Sequence, residues 1–428
     1  MRAGAIALSI FLLFPPISMG DWVELGSVEG YWQHENGLLI DCSNAYLDIE
    51  IMSEDVVRIR LGPWHRFMED YSWAVIATSH PTPYDVWEDS GNIYFNTAEL
   101  SIVINKDPCL ISFYDKWGWL INADYSPLQW REGEEGYEVR CTKLFSEEHF
   151  YGFGEKAGPI DKKGCYLTNW NTDAYGYNGE TDALYKSTPF LIGLKEAKAY
   201  GILFDNTYLT TFDMGHGHND RYSFSSKGGE LDYYFFYGPS IKEVIEDYTA
   251  LTGRMELPPL WALGHMLSRW SYYPQDRVLE IARKTREERI PTDVIFLDID
   301  YMEAYKSFTW DEEAFPDFEE MLGELEEMGF KVIVIINPGI KIEDGYFVYD
   351  QGLEGDYFVK NLDDALYTGD VWPGKCVFPD FTDPVVRSWW ASLYEELIRM
   401  GVDGIWNDMN EPAIFNAEKT MDNDTIFY

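Results

Sequence analysis

The sequence predicts a multidomain β and α/β protein. An N-terminal antiparallel β-sandwich spans residues 21–255, and residues 256–428 form the first half of a (β/α)8 TIM barrel. Three observations lead there. Residues 22–237 carry short alternating runs separated by turn residues, as stacked antiparallel strands do. Beyond Pro258-Pro259 the period changes, and apolar runs alternate with amphipathic helical stretches, the pattern of a parallel sheet. Several of those apolar runs end in carboxylates, the arrangement by which a parallel barrel presents reactive groups at its C-terminal face.

Length and charge set the outer bounds. A chain of 428 residues is long for one domain and suggests two or three. With 74 acidic against 33 basic residues the net charge is −41. Such a surface repels phosphate backbones and anionic bilayers, which disfavours nucleic acid and membrane-surface partners and leaves neutral substrates unpenalised. The five cysteines (Cys42, Cys109, Cys141, Cys165 and Cys376) are odd in number and show no CxxC spacing. They read as neither a disulfide framework nor a zinc site, and lean towards a reducing compartment.

Residues 1–20 resemble a secretory signal, with Arg2, a short apolar run from Ala5 to Phe14, and Ser18-Met19-Gly20 before Asp21. That run is too short to span a bilayer, so no stable membrane anchor is expected. Met19 as the true start is the competing reading, so export and a cytoplasmic location both stay open. Next, Asp55-Val56-Val57-Arg58-Ile59-Arg60-Leu61 alternates apolar and charged positions, predicting a half-buried strand. Ile102 and Ile104, then Asn105-Lys106-Asp107-Pro108, then Leu110 to Phe113, predict two strands and a tight turn. The glycines of Tyr151-Gly152-Phe153-Gly154-Glu155-Lys156-Ala157-Gly158 lack GxGxxG spacing and a βαβ setting, so phosphate binding is rejected. His216-Gly217-His218 with Asp220 lacks a clear third ligand and reads as a solvated loop; no metal or organic cofactor is expected. Ser240 and Glu243 form a capping box for a helix whose apolar face is Ile241, Val244, Ile245, Tyr248 and Leu251, stopped at Gly253.

In the barrel half, residues 262–267 read as a strand and 277–289 as a helix. A second strand, 294–297, ends in Asp298-Ile299-Asp300, and a second helix presents Phe318, Met321, Leu322, Leu325 and Met328. A third strand, 331–336, leads to Asn337-Pro338-Gly339. A single helix over 385–400 stops at Gly401, and a fourth strand leads to Trp406 and Asp408. Trp406 and Asp408 lie two apart, so on a strand they point to one side. An apolar ring wall beside a carboxylate suits a sugar ring, and Asp408 reads as the nucleophile of glycosidic cleavage. Its bland alternative is a strand-end Asp capping the turn through Asn410 and Pro412. Asp300 and Arg269 read more readily as a structural ion pair than as reacting groups. Only about four βα units fit, against about 250 residues for a full barrel, which suggests a truncated or split product whose missing C-terminal half would be a partner.

Trp406-Asn407-Asp408-Met409-Asn410-Glu411 resembles the nucleophile signature of glycoside hydrolase family 31, the α-glucosidase and α-xylosidase family. Tyr151-Gly152-Phe153-Gly154-Glu155 resembles the family's YGxGE element, and Leu297-Asp298-Ile299-Asp300-Tyr301-Met302 its substrate-binding segment, in the same order. The resemblance implies Asp408 as nucleophile, and sugar binding through Asp173, Asp298, Ile299, Ile336, Trp372, Trp406 and Met409. Asp173 would sit on a sandwich loop closing the non-reducing end; read from its neighbours alone, it is an Asx-turn residue. The family more often has Asp where this chain has Asn337, whose role is left open. The implied activity is that of a retaining exo-acting α-glucosidase, releasing terminal non-reducing α-linked glucose from malto-oligosaccharides. The implied acid/base lies downstream of the nucleophile, outside a chain ending at Tyr428. The alternatives are a non-catalytic carbohydrate-binding fragment or pseudoenzyme, and an α-xylosidase of the same family, whose members more often carry Lys-Thr-Asp-Phe-Gly-Glu at the signature.

Overall fold

The computed structural model describes residues 20–79, 82–133 and 136–415, with the short strand Thr425–Ile426; the signal-like segment 1–19 lies outside the described residues. The chain divides into two compact units, one of 1–170 and 178–255, the other of 171–177 and 256–428.

The first unit is built from antiparallel sheets of six, five and eight strands. Their inward faces share one apolar core, with Leu47, Ile59, Phe113, Trp130, Phe150 and Phe235 fully buried. Strand Ala45–Ile51 alternates buried and half-buried side chains as one sheet face against a core requires. Leu100–Lys106 and Cys109–Asp115 pair with Lys106 opposite Cys109, leaving Asp107-Pro108 as the turn. Strand Val56–Pro63 departs from its half-buried expectation, since all eight residues are buried. Arg58 and Arg60 are nearly buried; they meet Asp232 at 2.6 Å, on the neighbouring strand Leu231–Tyr237, and Glu230 at 2.7 Å, just before it. Charges enter a core when partnered, and those partners lie some 170 residues downstream, beyond any local pattern.

The glycines of the YGxGE element serve packing. A Cβ on Gly152 (φ 104°) would lie 2.6 Å from the Phe190 carbonyl oxygen of the paired strand. Helix Ile241–Thr252 forms with its capping box in place: Ser240 N–H donates to the Glu243 carboxylate at 2.9 Å, and Glu243 N–H donates to the Ser240 hydroxyl. Its apolar face is only partly used, because Val244 and Leu251 are buried while Ile241 and Ile245 are exposed.

The second unit carries a four-stranded parallel sheet in sequence order, Met266–Leu267, Val294–Leu297, Lys331–Ile336 and Gly404–Asn407. Helices Gln275–Glu287 and Phe318–Glu327 lie in the connections and bury Val278, Leu279, Met321, Leu322 and Leu325 against the sheet's apolar core. Two expectations need correction. The first strand is only two residues long, because Leu260–Leu263 forms a 3-10 turn and Gly264 lies where the Asp293 carboxylate would meet any Cβ. The helix expected over 385–400 is two, Pro384–Leu393 and Glu395–Met400, meeting at Tyr394. Among the described residues no helix is long and apolar enough to cross a membrane.

Candidate functional site

Register fixes which side chains gather at the C-terminal ends of the parallel strands. Leu297 pairs with Val334, Ile335 with Trp406, and Ile336 with Asn407. Because strand side chains alternate, Phe296 and Asp298, Ile335 and Asn337, and Trp406 and Asp408 fall on one face. The opposite set, including Leu297, Val334 and Ile336, is buried in the apolar core.

Asp408 follows the fourth strand, and its N–H donates to the Ile336 carbonyl at 3.1 Å. The side chain is half-buried. Burial raises its carboxyl pKa above the ordinary value of 3.8; a hydrogen bond from the Met409 N–H works against this, and the charge of Asp173 adds to it. Met409 takes a left-handed conformation, φ 63°, which is rare for a non-glycine residue and is found where the surrounding structure imposes it. The turn alternative has a basis too, since the Asn410 amide donates to the Asp408 main-chain carbonyl at 2.7 Å. That bond uses the backbone and leaves the carboxylate uncommitted to it.

Asp298 caps the short turn Ile299–Tyr301, accepting from the Ile299 N–H at 2.7 Å. Burial raises its pKa, and Asp408 and Asp300 push the same way. Asp173 and Asp408, and Asp408 and Asp298, thus feel each other's charge, which places three carboxylates from distant stretches of chain in one neighbourhood. The segment 171–177 that bears Asp173 belongs to the same compact unit as the parallel strands.

Ile299 and Ile336 are 3 % and 1 % exposed, so their side chains belong to the core. Their backbone groups hold Asp298 and Asp408 in place. Asp300 and Arg269 do not form the expected ion pair; Asp300 instead lies near Tyr305, whose hydroxyl pKa is raised first by burial and then by the Asp300 charge. Trp406 meets Phe296 edge-on at 6.0 Å. Trp372, at the tip between strands Gly369–Val371 and Gly374–Val377, packs edge-on against Trp270 at 5.3 Å and Phe415 at 5.0 Å. All three rings are exposed. Phe415, in the loop after Pro412, carries no periodic signal that would have pointed to it. Asn337 is 4 % exposed, and among the described residues neither atom of its side-chain amide has a hydrogen-bond partner. In the sandwich, His216 contacts the Gly164 carbonyl and His218 the Arg221 guanidinium.

Comparison with known proteins follows the two units. The glycosyl hydrolases family 31 TIM-barrel domain matches residues 255–427, and the glycosyl hydrolase 31 N-terminal galactose mutarotase-like domain matches residues 46–213. The chain belongs to glycoside hydrolase family 31. Alpha-glucosidase 2 of Bacillus thermoamyloliquefaciens is 42 % identical over 408 residues, 94 % of this chain and 51 % of that protein. The alpha-glucosidase of Saccharolobus solfataricus is 37 % identical over 325 residues, 76 % and 47 % respectively. Among solved structures, a family 31 dextranase of Flavobacterium johnsoniae in complex with isomaltotriose superposes with a TM-score of 0.86 at 33 % identity, over 92 % of this chain and 49 % of that one. This family 31 chain therefore spans about half the length of the relatives it matches.

Proposed function

We propose that the chain carries the nucleophile and glucose-binding part of a retaining, exo-acting α-glucosidase. The observation that carries the reading is the mutual electrostatic influence of Asp408 with Asp298 and with Asp173 at the ends of a parallel sheet, on the face that also bears the half-buried Trp406. In this reading the ionised Asp408 attacks the anomeric carbon. The bond from that carbon to the leaving oxygen breaks as a second carboxylic acid, about 5 Å from the first in retaining enzymes, donates its proton. The family resemblance places that acid downstream of Asp408. Water then attacks the same carbon, freeing Asp408 and returning a proton to the second acid.

Asp298 accepts hydrogen bonds from hydroxyls of the terminal glucose, and Asp173 blocks extension beyond it, which makes the action exo. Trp406 and Trp372 cover the apolar face of the ring. Ile299 and Ile336 act through their backbones, positioning Asp298 and Asp408. Met409 follows the nucleophile directly, and its N–H opposes the upward shift that burial imposes on the Asp408 carboxyl. The Trp-Asn-Asp-Met-Asn-Glu form favours α-linked glucose on malto-oligosaccharides over xylose. The dextranase likeness makes isomalto-oligosaccharides the second substrate class to assay. The test is hydrolysis of a chromogenic α-glucoside by the complete enzyme that contains this chain, with maltose and isomaltose in parallel. Turnover that disappears in Asp408→Asn supports the reading. Maltose binding without turnover supports a carbohydrate-binding protein instead, and turnover that survives Asp408→Asn removes the nucleophile assignment.

A further inference from the structure

A cleft of about 330 Å³ lies wholly within the sandwich unit, lined by Tyr125, Gln129, Arg140, Thr142, Asp213, His218, Arg221 and Ser223 among others. Its floor is the outer face of four paired strands, with Gln129 opposite Arg140, and Thr142 and Asp213 both opposite Ser223. Two guanidinium groups set it apart. This chain has more than twice as many acids as bases, and several buried or half-buried cations elsewhere on the sandwich are matched to acids: Arg58 to Asp232, Arg60 to Glu230, Lys143 to Asp124, Arg131 to Glu138; the buried Lys162 donates to the Ala157 carbonyl instead. Among the described residues, Arg140 and Arg221 form no ion pair. Arg140 donates twice to the neutral Gln129 side-chain oxygen, at 3.0 and 2.6 Å, and lies 4.2 Å from the centre of the Trp22 ring. Arg221 stands over the Tyr125 ring at 4.6 Å and contacts the His218 ring. The one carboxylate in the lining, Asp213, is turned to its own loop, accepting from the N–H groups of His216 and Gly217. Burial and the nearby Arg131 lower the Arg140 pKa, the direction expected of a cation with no anion beside it.

We propose that this cleft binds a monosaccharide-sized molecule bearing a phosphate or carboxylate group. The guanidinium fork matches the oxygens of either anion, and Arg140 keeps unused donors for it. The volume, at the lower end of small-molecule sites and roughly ten times the share of one water, exceeds what a bare anion fills. The hydroxyls of Thr142, Ser223 and Tyr125 suit a polyhydroxylated body. A second cleft, at Arg58 and Arg60, carries no such inference, because its cations already hold Asp232, Glu230 and Asp70.

The inference does not rest on the glycosidase reading, since it is tested by binding rather than turnover. The full chain is titrated calorimetrically at low salt with glucose 6-phosphate, glucuronate, inorganic phosphate and glucose. Expected is saturable one-site binding of glucose 6-phosphate or glucuronate, weaker binding of inorganic phosphate, and none of glucose. Arg140→Gln and Arg221→Gln should each weaken it about tenfold or more, the scale of one charge-assisted hydrogen bond. Ser223→Trp, which fills the cleft without removing charge, should abolish binding even if an arginine variant fails to fold. Which acidic sugar binds more tightly identifies the anion. No binding of either acidic sugar, inorganic phosphate binding as tightly as they do, or affinity unchanged in Ser223→Trp and in the folded arginine variants would each overturn the proposal.

Discussion

Replacing Asn337 with leucine should stabilise the fold while impairing sugar handling. The Asn337 backbone is satisfied through Ser307, which accepts from the Asn337 N–H at 3.1 Å and donates to its carbonyl at 2.8 Å; neither bond involves the amide. The side chain is nearly fully buried with its nitrogen and oxygen both unpartnered. An unsatisfied buried polar atom costs about 1–3 kcal/mol, so removing both returns about 2–6 kcal/mol. Leucine is similarly branched but larger, and the extra volume costs about 1–3 kcal/mol in a packed site. The balance is a gain of about 2 kcal/mol. For a unit of this size that raises the melting temperature by about 4–8 °C. Calorimetry and urea unfolding of wild type, Asn337→Leu and the smaller Asn337→Val measure it. Loss of stability in both variants would refute the reasoning, since the amide would then be serving the fold. Stability gained together with weaker sugar binding would mean the chain keeps the amide for its ligand.

The remaining predictions concern charge and stacking. Burial raises the Asp408 pKa, so the native state holds that proton longer than the unfolded chain; the stability this contributes is complete below about pH 3.8 and is lost as pH rises through the native value. Asp408→Asn should therefore abolish turnover yet gain on wild type across that rise, and urea unfolding at several pH values would expose a variant that loses ground instead. Asn337→Asp adds a carboxyl beside Asp408 and should move the acid limb of the pH–rate profile to higher pH; an unmoved limb would show the two do not interact. Trp372→Ala should weaken maltose binding about tenfold with little change in stability, since the ring is exposed, and unchanged affinity would take Trp372 out of the sugar wall. Lys143→Met strands Asp124, held at 2.6 Å with both side chains buried, and should cost about 3–5 kcal/mol in unfolding free energy; adding Asp124→Asn should recover much of it.

What the sequence made legible was what local period and turn chemistry control. Alternation marked the sandwich strands, the capping box marked the helix start at Ser240, and apolar runs ending in acids marked Asp298 and Asp408. What it could not show depended on partners far along the chain. The charges of Arg58 and Arg60 looked solvent-facing because Asp232 and Glu230 are invisible to a local pattern. The break at Tyr394 carries no proline or glycine to announce it. Asp173 sits in a polar loop whose own residues suggest only a turn, and a resemblance of motifs, not periodicity, pointed to it. Phe415 joins Trp372 through a fold-back in which its N–H donates to the Asp370 carbonyl, again a long-range event.

Several departures from ordinary folding rules in the second unit meet at one end of the parallel sheet. Asp298 and Asp408 keep carboxyls whose ionisation burial opposes, Asn337 keeps an unpaired amide, and Met409 keeps a left-handed backbone, all at or next to the C-terminal ends of the parallel strands. At the other end of the same strands the usual rules hold: Asp403 pairs with Lys331 at 2.8 Å and accepts from the Val332 N–H at 3.0 Å. The apolar layer beneath, from Leu297 to Val334 to Ile336, is likewise unremarkable packing. Each of these departures alone has a simple cure, an Asn for Asp, a Leu for Asn, a Gly for Met, and their meeting at one end of the sheet fits a site that uses them. A ligand entering there would give the Asn337 amide the partners that no described residue supplies, beside an Asp298 carboxylate that already accepts from a main-chain N–H.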